Sequence, residues 1–232
     1  MEKRRRRKHH AQQRVLVGSI EHRPFFDTRS AATVDKLESC VAAVATRLGQ
    51  QAHCISERRT AADRCEAARR MLSDGLKLVA TVSTLVNRKD PTADVLDVHP
   101  FTSDDDLLAQ ADGVYKAASA HAELYVKEGI QPGLLETFAG EIEAFRKAKG
   151  ALTLARQRYT EATEAIDQGL AEGDEAVAVL EGVLATSADA PVGALAALRQ
   201  AKRIGPAREV PAASTAQPTP TAAPPPLPEN VA

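Results

Sequence analysis

Hydrophobic and polar positions recur every three to four residues over a first long stretch, residues 30–88. This stretch contains no proline and ends before Asp90-Pro91, where the residue preceding proline is pushed out of the helical region. All but four of its seam positions are Val, Leu, Ile, Ala or Cys, which predicts one amphipathic helix. The seam runs through Val34, Leu37, Val41, Val44, Leu48, Gln51, Ile55, Arg58, Ala62, Cys65, Arg69, Leu72, Leu76, Val79, Ser83 and Val86.

A second long stretch, residues 133–186, keeps one heptad phase throughout and predicts another long helix. Gly169 and Gly173 are weak points, and Asp174 is placed to start a new helix after a break. The preserved phase favours continuity. The stripe is Phe138, Ile142, Phe145, Lys149, Leu152, Arg156, Tyr159, Thr163, Ile166, Leu170, Gly173, Val177, Leu180 and Leu184.

Two shorter helices and two tails complete the predicted organisation. A helix over 104–128 begins after Ser103, whose hydroxyl and the carboxylate of Asp106 form a capping-box pattern. A last helix over 191–203 begins at Pro191. Residues 1–26 are expected to form a basic flexible tail, 27–204 the bundle, and 205–232, with eight of the thirteen prolines, a disordered Pro/Ala-rich tail.

The predicted fold class is all-α, an elongated helical bundle resembling an antiparallel coiled coil, with two long helices and two shorter ones. A parallel arrangement of the long helices is the alternative. Polar seam residues lie in the middle of both helices, and antiparallel pairing brings these middles to one level. That coincidence favours the antiparallel arrangement.

Charge separates the first residues from the rest of the chain. Seven cations against Glu2 give residues 1–14 a net charge of +6, and because the whole chain carries −1, the remainder carries −7. An acidic body repels phosphate backbones, and 3% aromatic residues offer few platforms for base stacking. The basic run is the candidate contact for an anionic partner: Lys3, Arg4, Arg5, Arg6, Arg7, Lys8 and Arg14.

As a flexible arm, this run would bind nucleic acid weakly and without sequence preference. Its alternatives are an acidic lipid surface, an acidic partner or the acidic body of another copy, and a solvated tail without function. No amphipathic helix was expected beside it to anchor a membrane contact.

The polar middle of the two long helices has two interpretations. Arg58, Arg69 and Arg156 would line a pocket for an anionic ligand, or they would belong to a layer that sets the register and reaches solvent at its edges. Expected partners for these cations are Glu57, Glu66, Glu161 and Glu164.

Neither metal nor catalytic chemistry is indicated by spacing. Cys40, Cys54 and Cys65 form no CxxC pair and fall on one helical face, which predicts small core residues in a reducing compartment. No Glu-x-x-His, phosphate loop or nucleophile elbow occurs, and no segment reaches the roughly 20 apolar residues of a membrane span.

We therefore expect a cytoplasmic, non-enzymatic helical-bundle interaction or scaffold protein without metal or cofactor. A protein partner or self-association is expected, and an apolar face through positions 40, 47, 54, 61, 68, 75 and 82 widens the first helix for a second neighbour. The alternative is a nucleic-acid-associated protein that is tethered non-specifically by its basic arm.

Overall fold

The computed structural model describes residues 2–89, 96, 98–127, 131 and 133–203. All regular structure within these residues is helical, as predicted, and the proline-rich segment expected to be disordered lies outside them. The helices are α1 (Glu2–Glu21), α2 (Arg23–Asp27), α3 (Ala31–Lys89), α4 (Asp104–Ala120), α5 (Ala122–Lys127), α6 (Leu134–Thr186) and α7 (Ala194–Lys202). No helix in the described part of the chain is both long and apolar enough to cross a membrane.

Helices α3 and α6 pack against each other in antiparallel orientation along their length, which confirms the predicted arrangement. Residue numbers fall along α6 as they rise along α3. The contacting pairs are Lys36–Glu175, Cys40–Glu172, Gln51–Thr163, Arg58–Tyr159 and Gly75–Glu141.

The predicted seam of α3 is the face that is buried. Eleven of its residues are buried, and Cys40 is the one further buried residue of this helix among those with described side chains. Because a 3–4 spacing keeps these side chains in one stripe, a single face can serve as the core along the whole helix.

Helix α6 runs without a break through both glycines that were considered weak points. A Cβ built at Gly169 would lie 2.8 Å from Val44 Cγ2, and one at Gly173 would lie 2.7 Å from the amide of Gln12. Both glycines therefore allow another helix to approach closely. Their small size is used for packing, and no hinge forms.

Additional helices thicken the α3/α6 hairpin into two lobes. In the α4 lobe, α4 and α5 pack against the second half of α3 and the first half of α6, around Leu76, Leu107 and Phe145. In the α1 lobe, α1, α2 and α7 pack at the other end, around Phe26 and Leu180. The two lobes have separate hydrophobic cores.

Between the lobes lies a waist in which α3 and α6 pair without a third helix from the described part of the chain. No residue of α3 between Gln51 and Cys65 is buried, and none of α6 between Ala155 and Ile166 is buried. A two-helix cross-section has too little volume to enclose side chains, so its seam stays partly wet. The polar seam residues are tolerated here for that reason.

Three of the expected boundaries are wrong. Residues 2–21 are helical and docked, although a flexible tail was expected, because one face of α1, partly polar, is buried on the bundle. The helix expected over 104–128 is interrupted at His121, so that α4 and α5 are separate.

The last helix begins at Ala194 and not at Pro191, because a turn precedes it in which Ala194 N donates to Pro191 O at 3.0 Å. Its N-cap, Gly193, has φ of 81°, a conformation that favours glycine. The predicted cap of α4 is confirmed, since Asp106 N donates to Ser103 Oγ at 3.1 Å.

Replacing a packed glycine of α6 by alanine and replacing an exposed one should have opposite effects on stability. We expect Gly169→Ala to lower the free energy of unfolding by roughly 1–2 kcal/mol, because the branched Val44 side chain cannot retreat from the added methyl. The matched control is Gly182→Ala, which meets no atom within 4 Å and should raise it by about 0.5–1 kcal/mol. Urea denaturation of both variants measures the difference, and equal shifts would contradict close packing at Gly169.

Candidate interaction site on the basic helix

The basic residues near the N-terminus belong to a helix with two different faces. One face of α1 is buried and consists of His9, Ala11, Gln12, Val15 and Ser19. These positions follow a 3–4 spacing, which is the signal that sequence reasoning missed. Because three of the five are polar, the stripe does not stand out as a hydrophobic periodicity.

Two of the predicted site cations hold α1 on the bundle. Arg5 Nε and Nη2 donate to the two carboxylate oxygens of Asp167, both at 2.6 Å, in the bidentate geometry that makes strong ion pairs. Lys8 Nζ donates to Asp174 Oδ2 at 3.0 Å. The hydrogen bond with Asp167 raises the pKa of Arg5, and the same bond lowers the pKa of Asp167.

A buried amide completes this attachment. Gln12 Nε2 donates to Leu170 O at 2.7 Å and to Asp174 Oδ1 at 2.8 Å. Leu170 O lies within the helical ladder, so Gln12 ties α1 to the backbone of α6 beside Gly173. Arg5, Lys8 and Gln12 therefore follow one line, and α1 runs parallel to α6.

Two more of the predicted cations have partners close to α1. Arg14 Nη2 donates to Ala201 O at 3.0 Å and to Arg203 O at 2.9 Å, which satisfies carbonyls at the end of α7. Arg6 Nη2 pairs with Glu2 Oε1 at 2.6 Å one turn earlier, and both side chains are about half exposed.

The remaining predicted cations, Lys3, Arg4 and Arg7, are exposed, and no ion pair is seen for them within the described residues. Lys3 and Arg7 are one turn apart, and Arg4 is beside them, so all three project from the solvent face of a docked helix. We name Lys3, Arg4 and Arg7 the basic face. Its charges have fixed spacing, unlike those of the flexible arm that was expected.

His9 is buried in the contact between α1 and the bundle, and its Nδ1 has no hydrogen-bond partner. Burial lowers the pKa of His9, and the charge of His10 lowers it further. The ring is therefore neutral near pH 7, although it belongs to the helix that carries the basic run.

The polar middle does not form an enclosed anion pocket within the described residues. Gln51 Nε2 donates to Thr163 Oγ1 at 2.9 Å, a polar pair between the long helices in which Gln51 is buried and Thr163 is half-buried. Arg58 lies 4.5 Å over the Tyr159 ring, and Arg69 pairs with Asp104 at 3.0 Å. Its cations thus point to separate partners, which agrees with a layer that sets register.

Three of the four carboxylates expected to neutralise these cations have other partners. Glu57 pairs with His53 at 3.2 Å, Glu66 with Arg70 at 3.0 Å, and Glu161 accepts from Gln157 at 2.8 Å. Helical neighbours four residues away are closer than residues across the seam, so local pairs form first.

The cysteines behave as small packing residues. Cys40 and Cys65 are buried, and burial raises the pKa of both thiols, while Cys54 is half-buried. No group of three His, Cys, Asp or Glu side chains suited to a metal is found in the described ranges.

No family model, curated protein or solved structure matches this chain. The arguments about its function therefore rest on its own surfaces.

Removing the acidic partners of α1 should release this helix. We expect Asp167→Asn/Asp174→Asn to speed hydrogen exchange of the amides in residues 2–21, because Arg5 and Lys8 lose their carboxylates. Amides of α3 and α6 should be unaffected, since the hairpin contacts are unchanged. Asp63→Asn is the control, because Asp63 is exposed and has no ion pair in the described structure. Unchanged exchange in residues 2–21 of the double variant would mean that the charges do not hold α1.

The burial of His9 predicts lower stability in mild acid. Because the folded pKa lies below 6.5, the unfolded chain takes up the proton first, and stability falls as pH drops below about 6.5. We expect His9→Gln to flatten the change in unfolding free energy between pH 7 and 5. A slope that His9→Gln does not alter would assign the pH dependence to other groups.

Proposed function

We propose that this chain is a non-enzymatic helical-bundle interaction or scaffold protein. The observation that carries the proposal is the α3/α6 hairpin. A helix of 59 residues extends for roughly 88 Å at 1.5 Å per residue, and α6 follows it with 53 residues. A rod with a lobe at each end separates two surfaces by a fixed distance, which is the mechanical requirement of a scaffold.

Exposed apolar side chains in both lobes support protein contacts. Val17 and Ile20 of α1 are 58% and 45% exposed, and in the α4 lobe Leu78 and Val126 are each 50% exposed. Large apolar groups left in water at both ends favour partners, or a second copy, at each lobe. Three free thiols without a disulfide support a cytoplasmic location.

Site-specific photo-crosslinking in cells tests the scaffold proposal. A photo-reactive amino acid replaces Val17 in one lobe and Ser119 in the other, both at exposed positions. We expect discrete protease-sensitive adducts from each lobe. The control replaces Leu76, which is fully buried and should give none.

Absence of protein adducts from both lobes, or adducts that only nuclease removes, would refute the scaffold proposal. Adducts in which the crosslinked protein is a second copy of this chain would indicate self-association.

The second candidate function is non-specific association with nucleic acid. The basic face favours it, because Lys3, Arg4 and Arg7 have no ion pair within the described residues, whereas Arg5 and Lys8 hold α1 on the bundle. Three phosphate contacts would give an affinity for duplex DNA that falls about 40-fold between 50 and 200 mM salt.

Charge reversal distinguishes this second candidate from the first. We expect Lys3→Glu/Arg4→Glu/Arg7→Glu to abolish binding of a random DNA duplex or an RNA strand in fluorescence anisotropy. Deleting residues 2–14 would be a poor test, because His9 and Gln12 would leave the core with them. The control, Arg59→Glu/Lys116→Glu/Arg156→Glu, reverses three exposed cations elsewhere. Binding that both triple variants lose equally would reflect net charge alone, and absence of binding by the wild type would exclude this function.

A further inference from the structure

The α3/α6 hairpin has one covered flank and one open flank. The residues of α6 that hold α4, α1 and α7 share one heptad position: Arg146 for α4, Asp167 and Asp174 for α1, and Glu181 for α7. These helices therefore lie on the same side of the hairpin. Positions on the opposite edge of the α6 seam face no other described helix.

A groove of about 620 Å³ occupies the open flank near the waist, and α3 and α6 alone line it among the described residues. Its floor is apolar and includes Ala61, Ala148, Ala151 and Ala155, together with Leu154, which is 47% exposed. Small floor residues allow another helix to approach the hairpin closely, as Gly173 does for α1 on the covered flank.

An apolar stripe continues the groove along α3 into the α4 lobe. Met71, Leu78 and Leu85 are 59%, 50% and 53% exposed, and they repeat every seven residues. Arg64, which lines the groove, occupies the same heptad position one repeat earlier. Together with the half-buried Ala68, Gly75 and Val82, which lie between them, they form a second 3–4 seam.

Cations dominate the rim of the groove. Arg64 of α3 and Lys147 of α6 are exposed and have no ion pair in the described part of the chain. Arg158 shares Glu57 with His53, at 4.0 Å and 3.2 Å respectively. The rim therefore offers one free positive charge from each helix at the same end of the apolar stripe.

Helix α4 shows what such a surface accepts. On the covered flank, its first turn places Asp104 on Arg69 and Asp105 on Lys149, one cation from each long helix. Its apolar stripe, Leu107, Ala111, Val114 and Ala118, then follows the hairpin away from the waist. The open flank repeats this arrangement of two cations followed by an apolar seam, and no helix of the described residues covers it.

We propose that the open flank binds an amphipathic helix from a partner protein, with acidic residues in the first turn over Arg64 and Lys147 and an apolar stripe on Met71, Leu78 and Leu85. Glu141 lies beside Gly75 further along, so the acidic residues of the ligand are confined to the end at the waist. This inference rests on the proposed scaffold function and names the class of partner for one of its surfaces.

A peptide with the sequence of residues 103–120 is a suitable probe, because it has the acidic first turn and the apolar stripe. We expect saturable binding of the fluorescent peptide to the full chain. Arg64→Glu/Lys147→Glu should weaken it at least about tenfold, since both pairing charges are reversed. The site of α4 itself uses Arg69, Arg146 and Lys149, which remain intact in this variant.

Two controls accompany the peptide. Arg59→Glu/Lys116→Glu reverses two cations outside the groove and should leave the affinity within about twofold. A peptide with Lys at the positions of Asp104, Asp105, Asp106 and Asp112 should not bind. Ala151→Gln, at an exposed floor position, fills the groove without changing charge and should also weaken binding.

Equal affinity of the wild type and Arg64→Glu/Lys147→Glu, or no binding of the acidic peptide, would overturn the proposal. So would sedimentation of the wild type as a dimer that Met71→Lys dissociates, because a second copy would then cover the flank. None of these results decides the scaffold proposal, because the crosslinking test of that proposal probes positions 17 and 119, which lie outside the groove.

Discussion

Antiparallel packing of α3 against α6 is the contact on which every other part of the structure depends. Each lobe consists of shorter helices packed on this hairpin, and the hydrophobic core of each lobe contains residues of both α3 and α6. The register of the hairpin is set by side-chain packing in the two lobes and by a polar pair at the edge of the waist, in which Gln51 is buried and Thr163 is half-buried. Gln51 and Thr163 satisfy each other there, and a shift by one heptad would leave an amide buried without a partner.

The placement of α1 follows from the acidic character of α6 in the α1 lobe. Asp167 and Asp174 are seven residues apart, so they form a line along which a parallel helix can align its cations. Only two cations of the basic run are needed for that contact. The excess positive charge is displayed on the opposite side of the same helix, so structure and surface charge arise from one short sequence.

Long heptad patterns made most of the fold predictable. A seam such as Val34 to Val86 is consistent over so many turns that no competing structure buries the same residues. The polar middles of both helices also indicated the antiparallel arrangement. Shorter elements were less predictable, because the start of α7 depends on a single turn at Gly193 and the break at His121 has no strong sequence signal.

The candidate site was predictable in composition and not in conformation. Lys3, Arg4 and Arg7 are indeed exposed, but nothing local to MEKRRRRKHH indicates that Arg5 meets Asp167, 162 residues away in sequence. Docking of α1 also buries Gln12, whose amide donates to Leu170 O and Asp174 Oδ1 of α6, more than 150 residues away in sequence. Such partners are a tertiary property.

The two flanks of the hairpin differ in a way that links fold to function. Helices of the same chain cover one flank and contribute acids to α3/α6 cations in one lobe and cations to α6 acids in the other. Complementary charges thus determine which helix packs at which position on the apolar surface of the hairpin. The open flank has a similar apolar surface, and the two cations at its waist end, Arg64 and Lys147, have no ion pair within the described residues. A helix of matching charge in another protein would meet the same physical criteria that α4 meets within this one.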